Sequence, residues 1–242
     1  MKLVLFGYGK MGRTIDQLVQ NYGYQIINKI NSKNIATLDT ACIDRKNTVC
    51  IDFTTPQAFT ENYRLIANSF AQVVVGTTGW IDKQHEILGY FVAKGTTLIH
   101  ANNFSLGANI YFNIIDQAAK MVSFLNQHDQ YDPYILEMHH REKKDHPSGT
   151  ANTMAKILEN HLQRKVELVS LRTGWVKGIH ELGFESKIDR ITLRHEAYSR
   201  DGFAVGALLA AKWSLALKGI WSFQDLLNKK IEDNLKKEQI GL

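Results

Sequence analysis

Short apolar runs alternate with amphipathic stretches over the first hundred residues of the chain. Leu3-Val4-Leu5-Phe6 is a run of strand length. Behind it, Met11, Ile15, Leu18, Val19 and Tyr22 fall on one face of a helix, and Gly23 predicts its stop. Further strands are expected at Tyr24–Ile30, Thr48–Phe53, Gln72–Val75 and Thr97–Ala101, with helices at about residues 57–69 and 82–94. Strand and helix in alternation predict a parallel sheet with helices on both faces. Ligands of such sheets bind at the carboxyl ends of the strands. Three of those ends carry turn-forming sequences: Asp52-Phe53-Thr54-Thr55-Pro56, Gly76-Thr77-Thr78-Gly79 and Ala101-Asn102-Asn103-Phe104. Gly, Asn and Thr favour turns in any case, but their shared position predicts contact with a cofactor.

The rhythm changes after Ser105. A helix is predicted from about Leu106 to Leu125, with Ile110, Ile114, Ala118, Met121 and Leu125 on one side. A strand at Pro133–His139 and a helix from Gly149 to about Lys165 follow. Three strand-like runs come next, Val166–Thr173, Trp175–Phe184 and Lys187–Tyr198. No long helix separates them, which predicts antiparallel pairing. Helices at Ala204–Leu217 and Phe223–Leu235 close the chain. The expected class is therefore α/β. A Rossmann-like doubly wound parallel sheet would be built from residues 1–104 plus 213–242, and a second α+β domain with an open mixed sheet from residues 105–212.

The first strand–helix junction carries chemistry. Gly7-Tyr8-Gly9-Lys10-Met11-Gly12 fits the dinucleotide fingerprint, and it sits between a strand and a helix, where that fingerprint has meaning. Gly7 allows the tight turn, Gly9 lets a pyrophosphate approach the backbone, and Gly12 permits close helix–strand packing. An ordinary glycine-rich turn is the plain alternative.

Composition narrows the class without changing it. Hydrophobic residues make up 44% and charged residues 22% of 242, as in a soluble globular protein. No apolar run reaches membrane-spanning length, and a chain that enters a strand at once is expected to lack a signal peptide. The net charge of +5 raises the question of nucleic acid. The lysines are scattered, however. The densest group, Lys229, Lys230, Lys236 and Lys237, is interleaved with Glu232, Asp233 and Glu238 as on a solvated helix face. A mildly positive field suits a phosphate-bearing cofactor and an acidic substrate equally well. Cys42 and Cys50 form no Cys-x-x-Cys pair and are expected as buried, unpaired thiols in a reducing cytoplasm.

The densest chemistry lies in Glu137-Met138-His139-His140-Arg141-Glu142-Lys143-Lys144-Asp145-His146-Pro147-Ser148-Gly149-Thr150. Imidazoles move protons near neutral pH, and a lysine supplies charge or a proton. Gly149-Thr150 at a helix start offers free N–H groups and a hydroxyl to an anion. The segment predicts a site that holds an anionic substrate and protonates it. On an extended chain His139 and His140 point to opposite faces, so one can meet substrate while the other packs. His139, His140 and His146 match no zinc-site spacing, and no metal is expected. His180 and His195, on late strands, read as structural.

The run Glu137-x-His139-His140-x-x-Lys143-x-Asp145-x-Pro147-Ser148-Gly149-Thr150 resembles the signature of the 4-hydroxy-tetrahydrodipicolinate (dihydrodipicolinate) reductases of bacterial lysine and diaminopimelate synthesis. The resemblance spans nearly the whole chain. It takes in Gly7–Gly12, Ile51-Asp52-Phe53-Thr54, Gly76-Thr77-Thr78-Gly79, Ala101–Ser105 and Ser199-Arg200 leading to Phe203-Ala204-x-Gly206-Ala207. It implies reduction of a cyclic hydroxylated dicarboxylate by NADH or NADPH, with loss of water. It implies that His139 is the proton donor/acceptor and Lys143 a second donor. His140, Gly149 and Thr150 would hold the substrate carboxylates. Gly7–Gly12, Gly76–Thr78 and Ala101–Phe104 would hold the cofactor. A homotetramer built through the second domain is implied as well.

Two departures stand out. The family commonly ends its second strand with an acid that binds the adenosine ribose. Here Asn31-Ser32-Lys33 stands in that place, with no acid before Asp39. An enzyme accepting NADPH at least as well as NADH is expected, with Asn31, Ser32 and Lys33 at the ribose. The stretch between Leu171 and His195 is also shorter than is usual. Two other readings remain open at this point. Another two-domain dehydrogenase, such as a diaminopimelate dehydrogenase, explains the fingerprint but not the His139–Thr150 run. A cofactor-binding regulator predicts eroded proton-donor positions, whereas His139, Lys143 and Thr150 are present.

Overall fold

A computed structural model describes residues 1–125 and 130–240. Its elements in chain order are β1 (Lys2–Phe6), α1 (Lys10–Leu18), β2 (Gln25–Ile30), β3 (Thr48–Asp52), α2 (Pro56–Ser69), β4 (Gln72–Val75), α3 (Gln84–Ala93), β5 (Thr97–His100), α4 (Leu106–Leu125), β6 (Asp132–His139), α5 (Gly149–Leu162), β7 (Glu167–Arg172), β8 (Ile179–Glu185), β9 (Arg190–Glu196), α6 (Asp201–Ser214), β10 (Ile220–Ser222) and α7 (Phe223–Ile240). They form two compact units, residues 1–105 with 201–242, and residues 106–200.

The first unit holds a six-stranded sheet in the order β10-β5-β4-β3-β1-β2, parallel throughout. Its strands are short apolar runs because helices cover both faces: Leu3–Phe6 and all of β3 are buried. Thr55 caps α2, its hydroxyl accepting from Ala58 N at 3.2 Å, with Pro56 at the first helical position. β10 escapes a reading of the sequence, since three residues carry no period.

Helix α6 belongs to this unit, not to the second domain where a boundary at residue 213 placed its residues. Small residues decide it. Ala204, Gly206, Ala207, Ala210 and Ala211 are buried, and the helix lies on α1, β3, β4 and β5. A Cβ on Gly206 would stand 1.8 Å from the Phe104 carbonyl oxygen, so only glycine fits that approach.

The second unit carries a four-stranded sheet in the order β7-β6-β8-β9. β8 pairs antiparallel with β6 and with β9, but β7 pairs parallel with β6. The antiparallel pairing expected of the last three strands thus holds for β8 with β9 and is corrected for β7. Helix α5 returns the chain to the start of the sheet, so β6–α5–β7 is a crossover unit. Helix α4 buries a stripe other than the Ile110–Leu125 side. Ala108, Tyr111, Phe112, Ile115, Ala119 and Val122 face the core, whereas Ile110, Ile114, Met121 and Leu125 are exposed. Both stripes have helical period, and the sequence pattern alone does not choose between them. Cys50 is buried as expected, but Cys42 is exposed, its thiol donating to Asp39 Oδ2 at 3.0 Å.

Candidate functional site

In the first unit the chain turns sharply between β1 and α1. Gly7 has φ +88°, and a Cβ there would meet the Phe53 carbonyl oxygen at 2.3 Å. A Cβ on Gly12 would meet the Gly7 oxygen at 2.2 Å. Gly9 differs: a Cβ would touch nothing within 4 Å, and no side chain caps α1 at this residue. The first N–H groups of α1 thus carry no side-chain cap, as at helix starts that receive a pyrophosphate. Lys10 is exposed and Met11 half-buried. Tyr8 is turned aside: its hydroxyl donates to the Asp16 carboxylate, and Lys29 Nζ binds Asp16 at 2.6 Å.

Asp52, at the end of β3, ties two neighbouring loops together. Its Oδ1 accepts from Thr54 Oγ1 at 2.8 Å and Thr77 Oγ1 at 2.5 Å. Burial pushes this carboxyl up, and those hydroxyls partly offset it. Thr77 thus spends its hydroxyl inside the protein, while Thr78 is exposed beside it. A Cβ on Gly76 would overlap the Phe53 ring at 2.1 Å. Ala101 and Asn103 are half-buried and Asn102 exposed. Phe104 differs from the expectation of a cofactor contact: its ring is core, packed against Phe53 and Phe223. It supports the loop from below.

At the end of β2, Asn31, Ser32 and Lys33 are exposed. The turn is preformed. Asn31 Oδ1 accepts from Lys33 N at 2.8 Å, and Asn34 Oδ1 accepts from Asn31 N at 2.7 Å. Asp39, the next acid, spends its carboxylate on Ala41 N and the Cys42 thiol.

The second unit gathers the proton chemistry. β-Sheet register places Ser170, Glu137, His180 and His195 in one row across β7, β6, β8 and β9, with His139 opposite Arg172 one step along the same face. Glu137 is fully buried. Its Oε1 accepts from Ser170 Oγ at 2.6 Å, Arg172 Nη2 at 2.9 Å and Ser148 N at 3.0 Å. Its Oε2 lies 3.3 Å from His139 Nδ1 and 3.7 Å from His180 Nε2, without hydrogen-bond alignment. Burial alone would push the Glu137 carboxyl up, but the surrounding donors hold it well below the usual carboxylate range. Arg172 also donates to the Asp145 carbonyl at 2.7 Å, fastening the loop after His140 to the sheet.

Alternation along β6 makes His139 the buried histidine and leaves His140 half-buried. Lys143 Nζ donates to both oxygens of Asp145, at 2.7 and 2.9 Å. Ser148 caps α5, its hydroxyl accepting from Ala151 N at 3.1 Å. Gly149 is exposed with open space about its Cα, and Thr150 is half-buried on the first turn. Glu137, Ser148, Arg172 and His180 carry this network, though pattern and spacing assign them no site role. Only Glu137 and Ser148 lie in the conspicuous segment.

Glu137, His139 and His180 also bring ligand atoms within 4.8 Å of one another, a different trio from the three histidines of the 139–146 segment. The donor set suits protons better than a dication. Glu137 is already paired with the Arg172 guanidinium, which would repel a metal beside it.

Burial, reinforced by the neighbouring His139, pulls His180 down to about 3. Unfolded, it would titrate near 6.5. Between those values the unfolded chain binds the extra proton, so stability falls as pH drops. Urea midpoints should decline from about pH 8 to about pH 5, and His180→Gln should flatten the decline. An unchanged slope in the variant would assign the acid sensitivity elsewhere.

The chain matches the family model of dihydrodipicolinate reductase, N-terminus, over residues 1–104, and that of dihydrodipicolinate reductase, C-terminus, over residues 107–227. It is 35% identical over 240 residues to the 4-hydroxy-tetrahydrodipicolinate reductase of Christiangramia forsetii, covering 94% of this chain and 98% of that protein. The enzyme of the same name from Thermosipho africanus is 35% identical over 231 residues, covering 95% and 99%. The fold resembles that of the dipicolinate-bound dihydrodipicolinate reductase from Paenisporosarcina sp. TG-14, with TM-score 0.75, 23% identity and coverage of 92% and 97%. A parallel-sheet unit bearing the fingerprint, a mixed-sheet unit bearing the His139–Thr150 segment, and matches running end to end together place this chain in the dihydrodipicolinate reductase family.

Proposed function

We propose that this protein reduces 4-hydroxy-tetrahydrodipicolinate to tetrahydrodipicolinate with NADPH. The cofactor would be held by Gly7–Gly12, Asn31–Lys33, Gly76–Thr78 and the main chain of Ala101–Phe104. The substrate would be held by His140, Gly149 and Thr150. The family's role is the reductase step of lysine and diaminopimelate synthesis, and its N-terminal domain takes a nicotinamide cofactor. That cofactor, when bound, supplies hydride. The uncapped start of α1 over open space at Gly9 supports its pyrophosphate there.

The residues of the second unit account for the rest of the reaction. Loss of the ring hydroxyl as water places one proton on the leaving hydroxyl and removes one from the adjacent ring carbon, so it consumes none overall. Hydride addition to the conjugated, nitrogen-containing ring leaves one negative charge, which takes the single proton that the net reaction consumes. His139, as donor and acceptor, and Lys143, as donor, carry these proton transfers, and the charge is quenched as it forms. The helix start at Gly149-Thr150 cradles one carboxylate of the dicarboxylate. The observation that carries the reading is the convergence of His139 and the Ser148 turn on the buried Glu137 carboxylate. The deciding experiment supplies the product of dihydrodipicolinate synthase to the purified protein and follows cofactor oxidation. An absence of turnover with either NADPH or NADH would overturn the proposal.

NADPH should serve at least as well as NADH. An acid at the end of β2 would bind the ribose hydroxyls and repel a 2′-phosphate. Here Asn31 is neutral, Ser32 and Lys33 are exposed donors, and Asp39 is engaged in its own turn. Steady-state kcat/KM for both cofactors tests this, with Asn31→Glu expected to impair NADPH selectively. A strong native preference for NADH would refute it.

The same proposal includes a homotetramer formed through the second unit. Leu136, Met138, Val169 and Leu171 share the sheet face opposite Glu137, and Val169 and Leu171 are exposed there. Light scattering on the purified protein reads the assembly directly.

A further inference from the structure

We propose that Glu137 is the positioning residue for the proton donor, selecting the tautomer of His139 with one carboxylate oxygen while the other anchors the substrate turn. The inference rests on the reading of His139 as a proton donor.

The two oxygens have different surroundings. Oε1 is saturated by Ser148 N, Ser170 Oγ and Arg172 Nη2. It thereby joins β6, β7 and the cap of α5. Oε2 is buried, accepts no aligned hydrogen bond and faces two ring nitrogens, His139 Nδ1 at 3.3 Å and His180 Nε2 at 3.7 Å. A buried anionic oxygen needs a donor. Geometry decides which ring provides it. Ser148 Oγ accepts from Ala151 N at 3.1 Å, so its own proton is free to go to His180 Nε2, 3.1 Å away. His180 Nε2 is then an acceptor and has no proton for Oε2. His139 Nδ1, at 3.3 Å the nearer of the two nitrogens, is then the one assigned as donor to Oε2.

That assignment settles the other end of the ring. With Nδ1 protonated towards Glu137, Nε2 is the atom of His139 that exchanges a proton with substrate. Gly178 stands beside that edge: a Cβ there would come within 3.1 Å of Nε2. The other charged or titratable groups about the cluster are Arg172 on β7, His195 on β9, and Lys143 and Asp145 on the loop. None offers Nδ1 an acceptor in place of Glu137.

Glu137→Gln separates the two jobs. Its amide oxygen can still accept from Ser148, Ser170 and Arg172, but its NH₂ faces Nδ1 and requires that nitrogen to accept. The ring proton is then forced to Nε2. In ¹⁵N-imidazole spectra recorded where the ring is neutral, with His139→Gln for assignment, the native protein should show His139 protonated at Nδ1. The Glu137→Gln variant should show it at Nε2. Turnover should fall by about 10²-fold or more, with substrate KM held within about threefold. The spectra need no turnover, so they test the positioning role even if the reductase reading fails. A native ring protonated at Nε2 overturns the proposal, as does a Glu137→Gln variant with native kcat. Should that variant not fold, the native spectrum decides alone.

Discussion

Lys143→Ala is expected to lower turnover by about 10²–10⁴-fold, the range over which a single general acid contributes. The melting temperature should hardly change. The side chain leaves a turn rather than a core, and its ion pair with Asp145 is open to solvent on the aspartate side, which is 57% exposed. Such pairs contribute about 0–1 kcal/mol. Asp145 itself is pushed up by partial burial, but the Lys143 ammonium outweighs this and holds it below its ordinary value. Lys143→Arg distinguishes the two possible roles. Arginine keeps the charge but does not give up its proton. If Lys143 donates a proton, the arginine variant fails as the alanine variant does; if only charge matters, it recovers. Near-native kcat in Lys143→Ala would remove the residue from the mechanism.

Gly7→Ala is expected to destabilise the first unit by about 2–5 kcal/mol and to abolish useful cofactor affinity. Part of the cost is the left-handed backbone, about 1–2 kcal/mol for a residue with a Cβ. The remainder is overlap with the Phe53 carbonyl oxygen at 2.3 Å and its carbon at 2.6 Å, of the order of 1–3 kcal/mol for overpacking. Relief by local movement is blocked, because Gly7 N donates to Ile30 O at 2.9 Å and Phe53 N to Phe6 O at 2.8 Å. Three strand ends would have to shift together. A drop in Tm of roughly 5 °C or more should accompany the loss of cofactor binding. A variant with native Tm and native cofactor affinity would show that the turn does not depend on glycine.

The parallel sheet was legible because its strands are buried on both faces. That requirement leaves continuous apolar runs such as Leu3–Phe6 and Val73–Val75 that no other local pattern explains. The turn at Gly7 was legible from the spacing of Gly7, Gly9 and Gly12 between a strand and a helix, and the structure adds the reason for the first glycine: a Cβ there would stand 2.3 Å from the Phe53 carbonyl oxygen. The histidine–lysine segment was legible because its residues lie within fourteen positions of one another.

Other features depend on partners that sequence distance hides. Helix α4 carries two apolar stripes, and only the sheet and α5 select the one containing Phe112 and Ile115. The pairing of β7 with β6 depends on where α5 delivers the chain. Sequence alone thus determined the sheet class, the glycine turn of the fingerprint and the histidine–lysine segment, since each is written in neighbouring residues. Tertiary structure alone decided that Ser170, Glu137, His180 and His195 form one row and that His139 is the buried histidine of its pair. Strand register sets which distant side chains share a face, and a shift of one residue would turn every one of them to the other side.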